Sequence, residues 1–145
     1  NNRLNQVGER LIGDFGVMVL LDFPFVSELE TLDLKNNGLT DEAVIDLSQS
    51  KRLNSLVSLN LSQNNITDAG AQALGRSQNL KSLKTLNLNF NRIGDEGARA
   101  IAESPRLANL ESLKLGQNKI GTIGARALNE SENLKNLTHP IFGFY

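Results

Sequence analysis

The chain has no cysteine and no tryptophan, one histidine, one tyrosine and an almost even balance of charge, 15 basic against 16 acidic residues. Without cysteine there is neither a disulfide framework nor a thiolate metal site. The lack of any disulfide-bonded cap favours an intracellular setting, cytoplasmic or, for an effector, the inside of a host cell. A lone imidazole, His139, leaves most histidine-based catalysis and histidine-cluster metal binding without raw material. A net charge of −1 gives no bulk attraction to nucleic acid or to an anionic membrane. The expectation is a protein with no cofactor, no metal and no enzymatic role. What is abundant is leucine and asparagine, 25 and 18 of 145 residues, far more asparagine than turns alone require. The length is that of one domain able to bury a core.

The excess recurs every 27 residues. Leu29, Leu56, Leu83, Leu110 and Leu137 are spaced by that interval, and taking Leu29 as position one, leucine returns at positions four and six in four successive units. Position nine is Asn37, Asn64, Asn91 and Asn118, and an aliphatic residue follows at Leu39, Ile66, Ile93 and Ile120. Each unit then carries small and aliphatic residues at helical spacing, as in Gly70, Ala71 and Leu74, and closes on Ser50, Ser77, Ser104 or Ser131.

In the LxxLxL segment the last two leucines lie two apart and point to one side of a short strand. The second half of each unit describes a helix whose inner stripe meets the same core, with Ala or Gly allowing close approach. Thr40 and Thr67 suit N-caps, with Gly94 and Gly121 as weaker substitutes. Asp41, Glu42, Asp68, Asp95 and Glu96 sit where the helix dipole favours negative charge. One strand and one helix cannot cover their own apolar face, so the units stack as a parallel sheet backed by helices. The asparagines of position nine, Asn37, Asn64, Asn91 and Asn118, then satisfy inward-facing backbone groups where strand turns toward helix.

LSLNLSQNNITDAGAQAL and LKTLNLNFNRIGDEGARAIA resemble the leucine-rich repeat, in its ribonuclease-inhibitor-like subtype, and GDEGARAIA and GTIGARAL are similar to the GALA-type repeats of bacterial effectors. The resemblance covers residues 29–136. It implies an α/β solenoid, a right-handed βα horseshoe with sheet on the concave side and helices on the convex side. It also implies a protein-interaction scaffold. Nothing in the chain resembles an F-box, a nucleotide-binding module or a ligase domain.

Residues 1–145 read as a single domain: a partial or irregular repeat over 1–28, four repeats over 29–136, and a truncated or capping repeat over 137–145. Asn2, Leu4, Gly8 and Ile12 repeat the spacing of Asn64, Ile66, Gly70 and Leu74, which puts a surplus of eight residues between Gly13 and Glu28. That apolar stretch is too short to span a bilayer and carries Asp14 and Asp22, so an irregular segment packed on the core is expected. At the other end Pro140 replaces a strand leucine, which suits an edge or a strand ending, and Ile141, Phe142, Phe144 and Tyr145 are candidates to cap the core. A start in mid-repeat and the lack of a polar terminal cap are what a piece of a longer repeat protein would show.

Function is therefore expected on the concave face, from strand residues between and beside the inward leucines. The candidates are Asp33, Lys35, Asn60, Ser62, Asn87, Asn89, Phe90 and Lys114, flanked by the small column Thr31, Ser58, Thr85 and Ser112. Phe90 is the one aromatic residue in the four repeats, where its counterparts are Asn36, Gln63 and Gln117, and reads as a hot spot or as a tolerated exposed side chain. The columns are polar and of mixed sign, without a basic stripe, which fits a protein partner and neither nucleic acid nor membrane. Four strands about 4.8 Å apart give a face of a few hundred Å², below the roughly 800 Å² per partner of a stable complex. Self-association through apolar ends and unpaired edge strands is the alternative. A third reading is the recognition part of a larger effector or signalling protein. The sequons at Asn60, Asn65, Asn129 and Asn136 arise readily in an asparagine-rich repeat.

Overall fold

The computed structural model describes residues 11–142. Helix α1 (Gly13–Leu21) leads to strand β1 (Thr31–Asp33), followed by α2 (Asp41–Gln49), β2 (Ser58–Asn60), α3 (Asp68–Arg76), β3 (Thr85–Asn87), α4 (Asp95–Ala102), β4 (Ser112–Lys114) and α5 (Thr122–Asn129). The strands form one parallel sheet in the order β1-β2-β3-β4. Each pairs with the next at a shift of one repeat, Leu32 opposite Leu59, Leu59 opposite Leu86 and Leu86 opposite Leu113. Short 3-10 turns at Pro24–Glu28, Lys51–Leu53 and Pro105–Leu107 return the chain from helix to strand. The leucines of positions one, four and six are buried between sheet and helices, together with the inner helical stripe of Val44 and Leu47, Ala71 and Leu74, and Ala98 and Ile101. Full burial of each such leucine contributes roughly 1.5–3 kcal/mol.

Hydrophobic burial does not by itself pair the backbone at the corners of each repeat, and two ladders of side chains do that. At the corner after each strand, Asn64 accepts from the backbone N–H groups of Asn37 and Leu39, both 3.0 Å. Its amide donates to the carbonyls of Leu34, Leu61 and Ser62. Asn91 repeats the arrangement with Ile66 N–H and the Leu61 and Leu88 carbonyls, and Asn118 with Ile93 N–H and the Leu88 and Leu115 carbonyls. At the start of the series Asn37 accepts from Ile12 N–H at 3.4 Å and donates to the Lys35 carbonyl.

The second ladder lies at the helix N-termini. Asp41 Oδ1 accepts from the N–H groups of Thr67 and Gly70 in the following repeat, at 2.8 and 2.9 Å, and Oδ2 accepts from the Thr67 hydroxyl. Asp68 does the same for Gly94 and Gly97, and Asp95 for Gly121 and Gly124. These carboxylates thus do more than answer the helix dipole, since each caps its neighbour's helix. Gly94 and Gly121 have no side-chain cap of their own and receive one from the preceding aspartate. The glycines inside the helices follow from the same contact: a Cβ on Gly70, Gly97 or Gly124 would stand 2.6 Å from the preceding aspartate's Oδ1. Where the position is Ala43, Asp14 bonds only to Thr40, through its N–H and its hydroxyl.

The N-terminal end differs from the sequence expectation. Asp14, Val17, Leu20, Val26 and Leu29 stand one 27-residue period before Asp41, Val44, Leu47, Leu53 and Leu56. Val17, Leu20, Val26 and Leu29 are buried as their counterparts are. The stretch 13–28 is therefore a regular half-repeat, helix then 3-10 turn, with no surplus inside it. Asn2, Leu4 and Gly8, which suggested the surplus, lie outside the described residues, as do Phe144 and Tyr145. At the C-terminal end Thr138 N–H donates to the Glu111 carbonyl and Leu115 N–H to that of Ile141, both 3.0 Å, so the chain follows β4 on either side of Pro140. Ile141 is buried there, whereas Phe142 stays exposed.

Two substitutions test the ladders. Asn91→Leu leaves the N–H of Ile66 and its carbonyl partners unpaired, and Asp68→Ala strips the caps from Gly94 and Gly97. Each should lower the unfolding free energy by about 2–3 kcal/mol in urea titration, against less than about 0.5 kcal/mol for the exposed control Glu103→Ala.

Candidate partner-binding face

The strands are only three residues long, so strict alternation governs only positions three to five. Position four points into the core in every repeat, while Thr31, Ser58, Thr85 and Ser112 on one side of it, and Asp33, Asn60, Asn87 and Lys114 on the other, are exposed or half-buried. The parallel register aligns the second set in one row across the sheet, Asp33, Asn60, Asn87, Lys114.

After position five the chain leaves the strand. Asp33, Asn60 and Asn87 each accept through Oδ1 from the N–H two residues on, Lys35, Ser62 and Asn89, at 3.0–3.1 Å. This turn is one for which Asp and Asn side chains are suited. It changes the position of the seventh column. Lys35 is exposed as expected, but Ser62 is 4% and Asn89 9% exposed, and neither lies on the open face. Ser62 donates its hydroxyl to Asn60 Oδ1, and Asn89 accepts from Gly116 N–H at 2.7 Å in the next repeat. Ser62 is held within its own turn and Asn89 bridges to the next repeat, so their placement as open concave-face residues is corrected.

The eighth column completes the turn in the left-handed region, with φ of +53° at Asn36, +58° at Gln63, +57° at Phe90 and +57° at Gln117. Among these, Phe90 is the residue least suited to that conformation. Phe90 is 48% exposed and follows Asn87 of the polar row by three residues. A bulky aromatic held at positive φ and left in water gains little for the fold. Such strain is found where a side chain serves something outside the fold. The left-handed requirement was not drawn from the sequence, although Asn36 before Asn37 hints at it.

The row also leaves hydrogen-bonding capacity unused. Asn60 and Asn87 spend Oδ1 on their turns, and their Nδ2 donors have no partner among the described residues. The two amides sit opposite one another on neighbouring strands, about 4.8 Å apart by sheet spacing. Among the described residues no group of three His, Asp or Glu side chains is placed to hold a metal ion, and no helix is long and apolar enough to cross a membrane.

A β/α solenoid with two side-chain ladders and a polar parallel-sheet face defines the class of protein. A family model described as Leucine Rich repeat matches residues 28–48, 52–75, 79–102 and 106–128, more than half of the chain. The chain belongs to the leucine-rich repeat family. Among solved structures it is similar to a chain described as leiomodin-1 actin-binding site 2, with 19% sequence identity and a TM-score of 0.61 over 78% of this chain and 70% of that one. That likeness is one of fold. A search of curated protein sequences finds no match.

Phe90→Asn restores a residue that tolerates positive φ. It should raise the unfolding free energy by about 1 kcal/mol, read from the urea midpoint at unchanged m-value. A stability loss would show that the ring packs usefully in the free protein.

Proposed function

We propose that the chain is a protein-interaction scaffold that binds its partner on the concave sheet, through Asn60, Asn87, Phe90 and Lys114, with Asp33 and Lys35 at the β1 end. The observation that carries this reading is that the amide donors of Asn60 and Asn87, opposite one another on neighbouring strands, have no partner among the described residues, while Phe90, three residues after Asn87, is exposed. Two donors at strand spacing suit a partner offering backbone carbonyls or carboxylates, and the ring supplies apolar area beside them. The actin-binding description of the leiomodin-1 fragment supports a protein-binding use of this fold, without naming the partner of this chain. The face spans a few hundred Å² against the roughly 800 Å² per partner of a stable complex, so a single copy binds weakly.

Changing both asparagines to aspartate removes the donors and keeps the oxygens that hold the turns. Asn60→Asp with Asn87→Asp should lower the unfolding free energy by no more than about 1–2 kcal/mol, because three carboxylates then stand in register on β1 to β3, and reduce retention of a partner captured by the wild-type chain at least tenfold. The convex control Arg76→Glu should retain that partner. Capture that survives the double change and fails with Arg76→Glu would move the site to the helices.

A further inference from the structure

The concave face carries both signs of charge, but unevenly. Over the strand and the turn that follows it, the second, third and fourth repeats run 58–67, 85–94 and 112–121. These segments hold three cations, Arg92, Lys114 and Lys119, and no aspartate or glutamate, in a chain with 16 acids. The acid of the sheet face, Asp33, stands at the β1 end.

Arg92 and Lys119 occupy the same point of the turn, one period apart. There the backbone stacks as it does in the sheet, with Arg92 N–H on the Ile66 carbonyl at 2.8 Å and Lys119 N–H on that of Ile93 at 2.7 Å. The two residues thus lie roughly one strand spacing apart along the array, about 4.8 Å. Both side chains are exposed, and neither has an ion pair or a hydrogen bond among the described residues. Elsewhere in the third repeat Lys84 is held by Glu111 at 3.0 Å, and Arg99 by Glu96 and Glu103. The acid nearest Arg92 in sequence, Asp95, spends Oδ1 on the N–H groups of Gly121 and Gly124. Like charges set side by side on neighbouring strands repel, so this pair costs the fold stability that no described contact offsets. Phe90, two residues before Arg92, is exposed at positive φ, so an apolar side chain and two unpaired cations share one edge of the sheet.

From this we infer that the segment bound on this face is acidic, an extended stretch of protein that sets carboxylates on Arg92 and Lys119 and an apolar side chain on Phe90. The inference rests on the concave-face reading and names the chemistry of its partner. Arg92 offers a planar fork that matches a carboxylate, and Lys119 a compact point charge. Nucleic acid fits less well. Its affinity rests on many phosphate contacts, which two free cations on a chain of net charge −1 do not supply. Exposed charges are screened beyond about 8 Å at physiological salt, so the preference for acid is read most clearly in its salt dependence.

The probe is a fluorescein-labelled peptide of glutamates flanking one leucine, compared by anisotropy with its glutamine counterpart and with a single-stranded oligothymidylate of equal charge. The full chain should bind the glutamate peptide roughly tenfold more tightly than the glutamine one at about 50 mM salt, and the gap should close toward about 500 mM. Arg92→Gln with Lys119→Gln should remove the preference without lowering the urea midpoint, whereas the convex pair Arg106→Gln with Arg126→Gln should keep it. The inference is overturned by an absent preference, by one that survives the Arg92 and Lys119 changes, or by oligothymidylate binding as tightly as the glutamate peptide. A captured partner that is lost on Asn60→Asp with Asn87→Asp, yet fully retained by Arg92→Gln with Lys119→Gln, also overturns it and leaves the concave-face reading intact.

Discussion

Each repeat turns two sharp corners with only a three-residue strand and about two turns of helix between them, so much of its backbone has no partner within its own regular structure. Buried N–H and C=O groups left that way would each cost about 1–3 kcal/mol. The asparagine and aspartate ladders meet this constraint, and both reach across repeats. Across repeats, the ladder side chains sit 25–30 residues from the backbone groups they serve. Among the described residues no buried side-chain nitrogen or oxygen is left unpartnered. A repeat is therefore complete only when its neighbour is in place, the physical basis of the all-or-none stacking of such arrays.

The ladders have direction. Each aspartate acts forward, capping the next helix, whereas each ladder asparagine accepts from the backbone of the repeat before it. The same directionality explains residue choices that otherwise look arbitrary. Glycine at positions 70, 97 and 124 makes room for an incoming carboxylate, and threonine at position 67 meets that carboxylate's second oxygen. At position 122, one period after Asp95, the aspartate ladder has Thr122, which carries no carboxylate to pass forward.

The core and the asparagine ladder were legible because each is a column of one residue type at a fixed interval, with no competing local explanation. The aspartate ladder was present in the same register, from Asp14 through Asp41 and Asp68 to Asp95, but an acid at a helix start is already accounted for by the dipole. Its true partner lies in another repeat, which periodicity alone does not reveal. Ser62 and Asn89 were misplaced because alternation was carried past the end of a three-residue strand into a turn. The N-terminal register was misread for a different reason: Asn2, Leu4 and Gly8 matched a short spacing, while Asp14, Val17, Leu20 and Leu29 matched the full period.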